Sequence, residues 1–215
     1  MNSTGQTILG GRAIEGYAVG VLHLNSTYPL PPGNAQHAQS YGFPVAFEPV
    51  PISDPWALMK GDPSIAPLII EACEKLITRG ARIIVGACGS FAFFQKETAA
   101  AIDIPVFTSV LTQIPFLVQS LGRRRLGVIC ASASSMTDKI FEQCNVTDPS
   151  RLVISQMKGM SEFDAMLTGI APMDVTEMER QACKVAKNWL QTTPTSARFC
   201  CNAATCPPMA KRSSH

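Results

Sequence analysis

The chain has 215 residues, a formal net charge of +2 and a hydrophobic fraction of 46%. That charge gives no electrostatic case for nucleic acid or an anionic membrane as a partner, and no apolar run is long enough to span a membrane. The amino terminus does not read as a secretory signal, and the eight cysteines are scattered without a Cys-x-x-Cys pair. We therefore expect a cytoplasmic protein with reduced thiols and no metal site.

In the first half of the chain, apolar runs of strand length alternate with segments of helical spacing. One short run contains a proline, which favours the edge of a sheet. The predicted order is strand 17–24, edge strand 43–47, helix 65–77, strand 82–87, helix 91–102 and strand 104–107.

The second half repeats this alternation from about residue 122. The predicted order is helix 111–121 with Pro115 in its first turn, strand 126–130, helix 136–144, strand 152–156 and helix 175–190. Strands that alternate with helices favour parallel sheets with right-handed crossovers. We therefore predict an α/β fold of two similar Rossmann-like lobes, residues 1–110 and 111–215, with the active site in the cleft between them.

Cys88 is the most informative residue of the first half. It follows an apolar run that ends in Gly-Ala-Cys-Gly-Ser, at the carboxyl end of a predicted strand and the amino end of a predicted helix. Free N–H groups and the helix dipole favour a reactive thiolate there, and open α/β sheets bind ligands at such strand ends. The alternative is a small buried hydrophobic residue.

Polar loops follow three other predicted strands. Asn25, Ser26 and Thr27 form the first loop, Thr108 and Ser109 the second, and Ser132 opens the third. Short hydroxyl side chains and free N–H groups suit a carboxylate ligand, although each residue could instead be a helix N-cap. Neither a glycine-rich nucleotide motif nor a Gly-x-Ser-x-Gly elbow is present.

Three longer stretches, 22–34, 86–95 and 104–109, allow comparison with a known family. Through them the chain resembles the aspartate/glutamate/hydantoin racemase superfamily over about residues 17–190. The resemblance implies two α/β lobes, a small carboxylate-bearing substrate, no cofactor and a possible homodimer. It also implies an isomerase, here an amino-acid racemase.

In that family, one cysteine removes the α-proton of the substrate and a second cysteine returns a proton to the opposite face. The resemblance gives Cys88 the first role and assigns the carboxylate to Asn25, Thr108 and Ser109. The full set of residues that it places around the substrate is Asn25, Ser26, Thr27, Gly89, Ser90, Thr108, Ser109 and Ser132. Two alternatives stay open: a catalytically impaired relative that binds a small acid, and a one-cysteine decarboxylase or cis–trans isomerase.

The second cysteine of the family has no counterpart at the matching position of this chain. The family motif reads Glu-Cys-Ser/Thr-Asp/Asn-Met-Pro-Pro-Tyr, and alignment on Pro207 and Pro208 puts its cysteine at Ala203. Cys201 and Cys206 could substitute, but neither matches that position. With permitted codons, residues 201–210 read two nucleotides out of frame give Gln-Cys-Ser-Asp-Met-Pro-Pro-Tyr-Gly. We therefore expect a tail that is truncated or frameshifted from about Phe199 and has lost its apolar strand.

Overall fold

The computed structural model describes residue 11 and residues 13–169, 172–192 and 199–201. Within these residues, seven strands form two sheets in which all paired strands are parallel. Helices alternate with the strands along the chain, so the predicted α/β fold is confirmed. None of the helices in the described part of the chain is long and apolar enough to cross a membrane.

The first sheet has the strand order β2-β1-β3-β4. Its strands are β1 (Val19–Leu24), β2 (Val45–Val50), β3 (Ile83–Gly86) and β4 (Val106–Phe107). The helices of this half are α1 (Pro55–Lys60), α2 (Ile65–Thr78) and α3 (Gln95–Ala101). β2 is at the edge, as its proline-containing sequence predicts.

The second sheet has the order β6-β5-β7. Its strands are β5 (Leu126–Cys130), β6 (Leu152–Gln156) and β7 (Phe199–Cys201). Its helices are α4 (Ile114–Ser120), α5 (Asp138–Gln143), α6 (Ser161–Met166) and α7 (Val175–Thr192). Pro115 lies at the start of α4, as predicted, because a missing N–H costs nothing in a first turn.

One prediction about the tail is wrong. An apolar strand does precede Pro207, because Phe199–Cys201 pairs in parallel with β5 and Cys201 lies opposite Ile129. Three residues are too few for a strand to be recognised from their pattern. Cys206 and the aligned position Ala203 lie outside the described residues.

The helix predicted for residues 91–102 is a 3₁₀ helix followed by an α-helix in the structure. Gly89–Phe94 forms a 3₁₀ helix, and α3 continues from it. Phe91 and Phe94 are fully or almost fully buried there, together with their neighbours Ala92 and Phe93. Four consecutive buried residues need a segment covered on several sides, and here the covering elements include α1, α5 and the 3₁₀ helix after Ser109.

A large apolar cluster, here called the shared core, runs through both halves of the chain. It joins Leu22, Ile84 and Phe91 of the first half to Val128 and Phe141 of the second. Because this cluster contains residues of both sheets, the two lobes share their largest core.

Polar contacts from α5 also join the two halves of the chain. Lys139 Nζ donates to the Gly61 carbonyl at 2.7 Å and lies 5.8 Å from the centre of the Phe93 ring. Gln143 accepts a hydrogen bond from the Lys96 N–H at 2.9 Å and donates one to Glu97 at 3.1 Å. The helical segment after Cys88 is therefore held from the second half of the chain.

A smaller apolar cluster, here called the methionine cluster, belongs to the second half. Its buried members are Ile129, Met157, Phe163, Met166, Met178, Ala182 and Val185. Half-buried residues pack against it, namely Tyr28, Met160, Met173 and Ala186. Tyr28 is the member that comes from the first half, from the loop after β1.

Candidate active site

The polar loops of the first sheet meet at one edge. β3 lies between β1 and β4, and all three strands are parallel. Their carboxyl ends therefore lie side by side, so the loops that begin at Asn25, Ala87 and Thr108 are neighbours. The structure brings most of the predicted site residues to this edge, here called the catalytic edge after the role that the sequence resemblance gives it.

Gly86 permits the close packing of that edge. A Cβ atom at this position would lie 1.8 Å from the Thr108 carbonyl oxygen and 3.2 Å from the Phe91 ring. No side chain fits such a gap, so the residue that ends β3 must be glycine. The chain leaving β4 can therefore pass directly beside the strand that leads to Cys88.

Gln95 is a positioning residue that sequence reasoning missed. Its Oε1 accepts hydrogen bonds from the Thr108 N–H at 2.8 Å and the Thr108 hydroxyl at 2.9 Å, while its Nε2 donates to the Val106 carbonyl at 3.0 Å. Thr108 is fully buried, and its N–H and hydroxyl are both directed at Gln95. A polar residue directly after four apolar ones was the signal available in the sequence.

Ser109 is almost fully buried and begins a short 3₁₀ helix. Its Oγ accepts the Leu111 N–H at 3.3 Å, and its carbonyl accepts the Thr112 hydroxyl at 2.8 Å. These contacts are those of the N-cap that the sequence left open as an alternative.

The loop after β1 is more open. Asn25 and Thr27 are exposed, whereas Ser26 is half-buried and accepts a hydrogen bond from Gln36 Nε2 at 3.3 Å. The same nitrogen donates to the Leu24 carbonyl at 3.1 Å, and Gln36 Oε1 accepts the Tyr28 hydroxyl at 3.4 Å. Gln36 therefore ties the loop back to the end of its own strand.

Cys88 lies at the centre of the catalytic edge, partly exposed and packed against the shared core. Burial raises the pKa of its thiol, and this effect exceeds the opposing effect of the Ser90 and Phe91 N–H groups and the Ser90 hydroxyl. The N–H groups at the helix start favour the thiolate, as expected, but burial outweighs them in the free protein. Burial removes the water that would hydrate a thiolate, and the few N–H groups of a short 3₁₀ turn do not compensate for that loss.

Tyr28 also lies near this thiol. Burial raises the pKa of its phenol, a hydrogen bond with Ser26 opposes that rise, and the negative charge of an ionised Cys88 adds to it. The ring packs against the methionine cluster. Tyr28 therefore joins the catalytic edge to the second half of the chain.

One contact from the second half reaches the loop after β1, and the other predicted residues of that half make local contacts. Thr27 Oγ1 lies 3.4 Å from the position that a Cβ on Gly169 would occupy. Gly159, after β6, donates its N–H to both Asp164 carboxylate oxygens at 3.1 Å, and Met160 packs against the methionine cluster. Ser132, after β5, is half-buried with its Oγ 2.9 Å from Ser134 Oγ.

The remaining cysteines differ from Cys88. Burial raises the pKa of Cys73 to about 12 and that of Cys130 to about 11, and Cys144 is also buried. Cys183 is half-buried on α7. Cys201 ends β7, a strand whose backbone lies against the 3₁₀ helix that follows Ser109. Among the described residues, no group of three or more His, Cys, Asp or Glu side chains could hold a metal ion.

The chain is similar in sequence to proteins named as dimethylsulfoniopropionate lyases. The chain is 29% identical over 178 residues to dimethylsulfoniopropionate lyase 7 of Emiliania huxleyi (strain CCMP1516), covering 79% of this chain and 52% of that protein. It is 27% identical over 189 residues to a dimethylsulfoniopropionate lyase of Durusdinium sp. clade D, covering 84% and 62%. The chain thus spans between half and two thirds of the length of these relatives. No family model matches it.

Solved structures with a similar course of the chain include decarboxylases and racemases. Arylmalonate decarboxylase gives a TM-score of 0.48 at 14% identity, covering 83% of this chain and 73% of that one. Glutamate racemase from Campylobacter jejuni subsp. jejuni gives 0.47 at 11%, covering 84% and 80%. Similarity at this level does not assign a reaction. The relatives by sequence are lyases, whereas the resemblance carried by the sequence motifs implies a racemase.

Proposed function

We propose that this chain is a lyase that eliminates a leaving group from the carbon β to a carboxylate, with Cys88 as the base that removes the α-proton. The observation that carries the proposal is the position of Cys88, partly exposed where the ends of three parallel strands meet. The neighbouring loops carry amide and hydroxyl groups of the kind that can hold a carboxylate.

The similarity to dimethylsulfoniopropionate lyases favours elimination over racemisation. In dimethylsulfoniopropionate, the α-carbon adjoins a carboxylate and the β-carbon carries a positively charged sulfur, which is a good leaving group. Elimination needs one base on one face of the α-carbon. Cys88 alone can supply it.

The reaction balances without a further reactant. The Cys88 thiolate takes the α-proton, and the electron pair of that C–H bond becomes the second bond between the α- and β-carbons. The bond from the β-carbon to sulfur breaks, and its electrons leave with the sulfur as neutral dimethyl sulfide. Acrylate remains, and the Cys88 thiol then returns its proton to solvent.

The loops supply the groups that stabilise this reaction. The Asn25 amide and the Ser90 hydroxyl are our proposed donors to the substrate carboxylate, where charge develops as the α-proton leaves. Ser26, Thr27, Gly89 and Ser132 shape the pocket around the substrate. Thr108 acts through the backbone of the catalytic edge, because its own donors are directed at Gln95.

The raised pKa of Cys88 fits a cationic substrate. A positive charge brought close to a thiol favours its ionised form and so opposes the effect of burial. Dimethylsulfoniopropionate carries such a charge near the proton to be removed. Substrate binding would thereby help to ionise the base that acts on it.

A racemase is the second candidate, favoured by the position of Cys201 at the end of β7, opposite Ile129 of β5. One experiment separates these candidates. The chain is incubated in deuterated water with dimethylsulfoniopropionate, or with amino acids, hydantoins or dicarboxylates. Dimethyl sulfide is measured in the headspace and deuterium by NMR.

Release of dimethyl sulfide, with deuterium absent from recovered amino acids, supports the lyase. Deuterium at the α-carbon of an amino acid without elimination supports the racemase. A chain that binds a small acid but causes neither change is a binding protein, and the lyase proposal is then wrong.

A further inference from the structure

We infer that Tyr28 and the methionine cluster bind the end of the substrate opposite its carboxylate, and that this end is a methyl-rich cation such as a sulfonium rather than a second carboxylate. This inference rests on the proposed function, because it takes Cys88 as the reacting centre. It adds to the proposed function that the end of the substrate opposite the carboxylate contacts the second half of the chain.

The position of Tyr28 is the first argument. Its ring packs against the methionine cluster, and its hydroxyl donates to Gln36, which also holds the end of β1. The ring is therefore fixed between the loop of the catalytic edge and the second half. A substrate whose carboxylate lies among the loops near Cys88 would extend its other end towards this ring.

The chemistry of the surrounding side chains is the second argument. Met160 and Met173 are half-buried and pack against the cluster, whose buried members include Met157, Met166 and Met178. Thioether side chains are polarisable and adapt their shape to methyl groups. An aromatic ring attracts a methylated cation, as in the aromatic sites that bind quaternary ammonium ligands.

Charge is the third argument. Residues 158–180 include five carboxylates and two cations, Lys158 and Arg180; the carboxylates are Glu162, Asp164, Asp174, Glu177 and Glu179, and Glu177 is ion-paired with Arg180. Glu162 accepts the Asp174 N–H at 2.9 Å and Asp164 accepts the Gly159 N–H, which keeps two of these charges on the segment that carries Met160. A negative segment attracts a cationic group and repels a second carboxylate.

The test measures binding without reaction. Isothermal titration compares three carboxylates: 3-(trimethylammonio)propanoate, its neutral isostere 4,4-dimethylpentanoate, and glutarate; an assay for released trimethylamine confirms that the first has not undergone elimination. We expect the cation to bind about tenfold more tightly than the neutral isostere, with glutarate weakest. Tyr28→Leu should remove most of this preference, whereas Tyr28→Phe, which keeps the ring, should preserve it.

Tyr41→Leu is the matched control. Tyr41 belongs to the same long loop and is also half-buried, but it packs edge-on against Phe43 and Phe47 and donates its hydroxyl to the Ala35 carbonyl. This variant should keep the preference for the cation. Thermal unfolding of each variant shows whether it is folded. If the Tyr28→Leu protein does not fold, the preference of the wild-type protein for the cation over its isostere and glutarate tests the inference.

Equal binding of the cation and its isostere, or tightest binding of glutarate, overturns the inference. The same holds if none of the three carboxylates binds, or if Tyr28→Leu leaves the preference unchanged. Failure of the proposed function shows separately, as wild-type protein that prefers the cation but releases no dimethyl sulfide. Release of dimethyl sulfide without a preference for the cation supports the lyase proposal and contradicts only the proposed binding of the cationic end by Tyr28.

Discussion

The two sheets share one plan but differ in the residues at the carboxyl ends of their strands. A thiol, an amide and several hydroxyls come after β1, β3 and β4 of the first sheet. Met157 and Met160 come after β6 of the second sheet, and the segment beyond them is rich in carboxylates. Under our proposal, the two sheets therefore have different roles. The first sheet carries the reacting groups, and the second carries the binding surface.

The same contrast appears in two glutamines. Gln95 holds the end of β4 from the first half through its hydrogen bonds to Thr108 and Val106. Gln181, almost fully buried on α7, donates to Ser161 Oγ and Glu177 at 2.8 Å and accepts the Glu162 N–H at 3.2 Å. One glutamine supports the catalytic edge, and the other supports the helix next to the methionine cluster.

Replacing the proposed base should have the largest effect. Cys88→Ser removes the group that takes the proton, so kcat/KM for elimination should fall by about 1,000-fold. Cys183→Ser, a half-buried cysteine on α7, is the control and should keep full activity. Headspace gas chromatography measures both rates, and an active Cys88→Ser protein would reject the assignment of the base to the first sheet.

Adding a methyl group at Gly86 tests the close packing of the first sheet. Its Cβ would meet the Thr108 carbonyl, so Gly86→Ala should lower the free energy of unfolding by about 3 kcal/mol. Gly42→Ala is matched to it, because nothing lies within 4 Å of a Cβ there. Urea unfolding of both variants measures the difference, and equal stabilities would contradict the described contact.

The two glutamines allow a direct comparison of the lobes. Gln95→Leu and Gln181→Leu each leave buried or partly buried groups without partners, so each should cost about 2 kcal/mol of unfolding free energy. Gln95→Leu should also lower kcat, since it frees the chain next to Cys88. Gln181→Leu should mainly raise KM, since it loosens the binding surface. Steady-state kinetics of the two variants separate these effects, and identical kinetic changes would show no division between the lobes.

The pH dependence of the free enzyme tests the state of Cys88. Burial raises the pKa of this thiol above its ordinary value of 9.0, and the reaction needs the thiolate. Hence kcat/KM should rise about tenfold per pH unit and keep rising above pH 9. Alkylation of Cys88 by iodoacetamide should follow the same curve, and a plateau near pH 7 would show that the thiol is already ionised.

The same shift has a consequence for stability. Because the folded protein holds the pKa of Cys88 above that of the unfolded chain, the thiol's contribution is complete below about pH 9 and is lost as pH rises through the folded value. Unfolding in urea at pH 8 and pH 10 measures this loss in the wild type. Cys88→Ser should show a smaller loss over the same interval.

The smallest expected effect concerns Thr98 on α3. This residue is fully buried, and its hydroxyl has no hydrogen-bond partner. Thr98→Val replaces the hydroxyl with a methyl group of similar size and should raise the unfolding free energy by about 1 kcal/mol. A loss of stability on urea unfolding would show that the hydroxyl does have a partner.

Strands and helices with long apolar patterns were predictable from the sequence. Strands 126–130 and 152–156 and helix 65–77 match the observed bounds to within one residue. The six-residue helices α1 and α6 and the three-residue β7 were not found, because they are too short to show a period. Their formation depends on packing against elements that are distant in the sequence.

The site was predictable in part for the same reason. Polar residues after a predicted strand point to the catalytic edge, and that rule gave Asn25, Cys88 and Thr108. It could not give Gln36 or Gln95, which act through hydrogen bonds to loops 10 to 13 residues away. Nor could it show that burial outweighs the helix start at Cys88, because burial depends on the whole fold.

The shared core has a consequence for how the chain can be divided. Leu22 and Phe91 belong to the same apolar cluster as Val128 and Phe141, so neither half can bury its own apolar surface alone. A cut in the exposed turn 122–124 should give two fragments that are insoluble when each is expressed separately. Co-expressed, they should reassemble, and activity recovered by complementation would report on the interface that makes this two-lobed molecule a single folding unit.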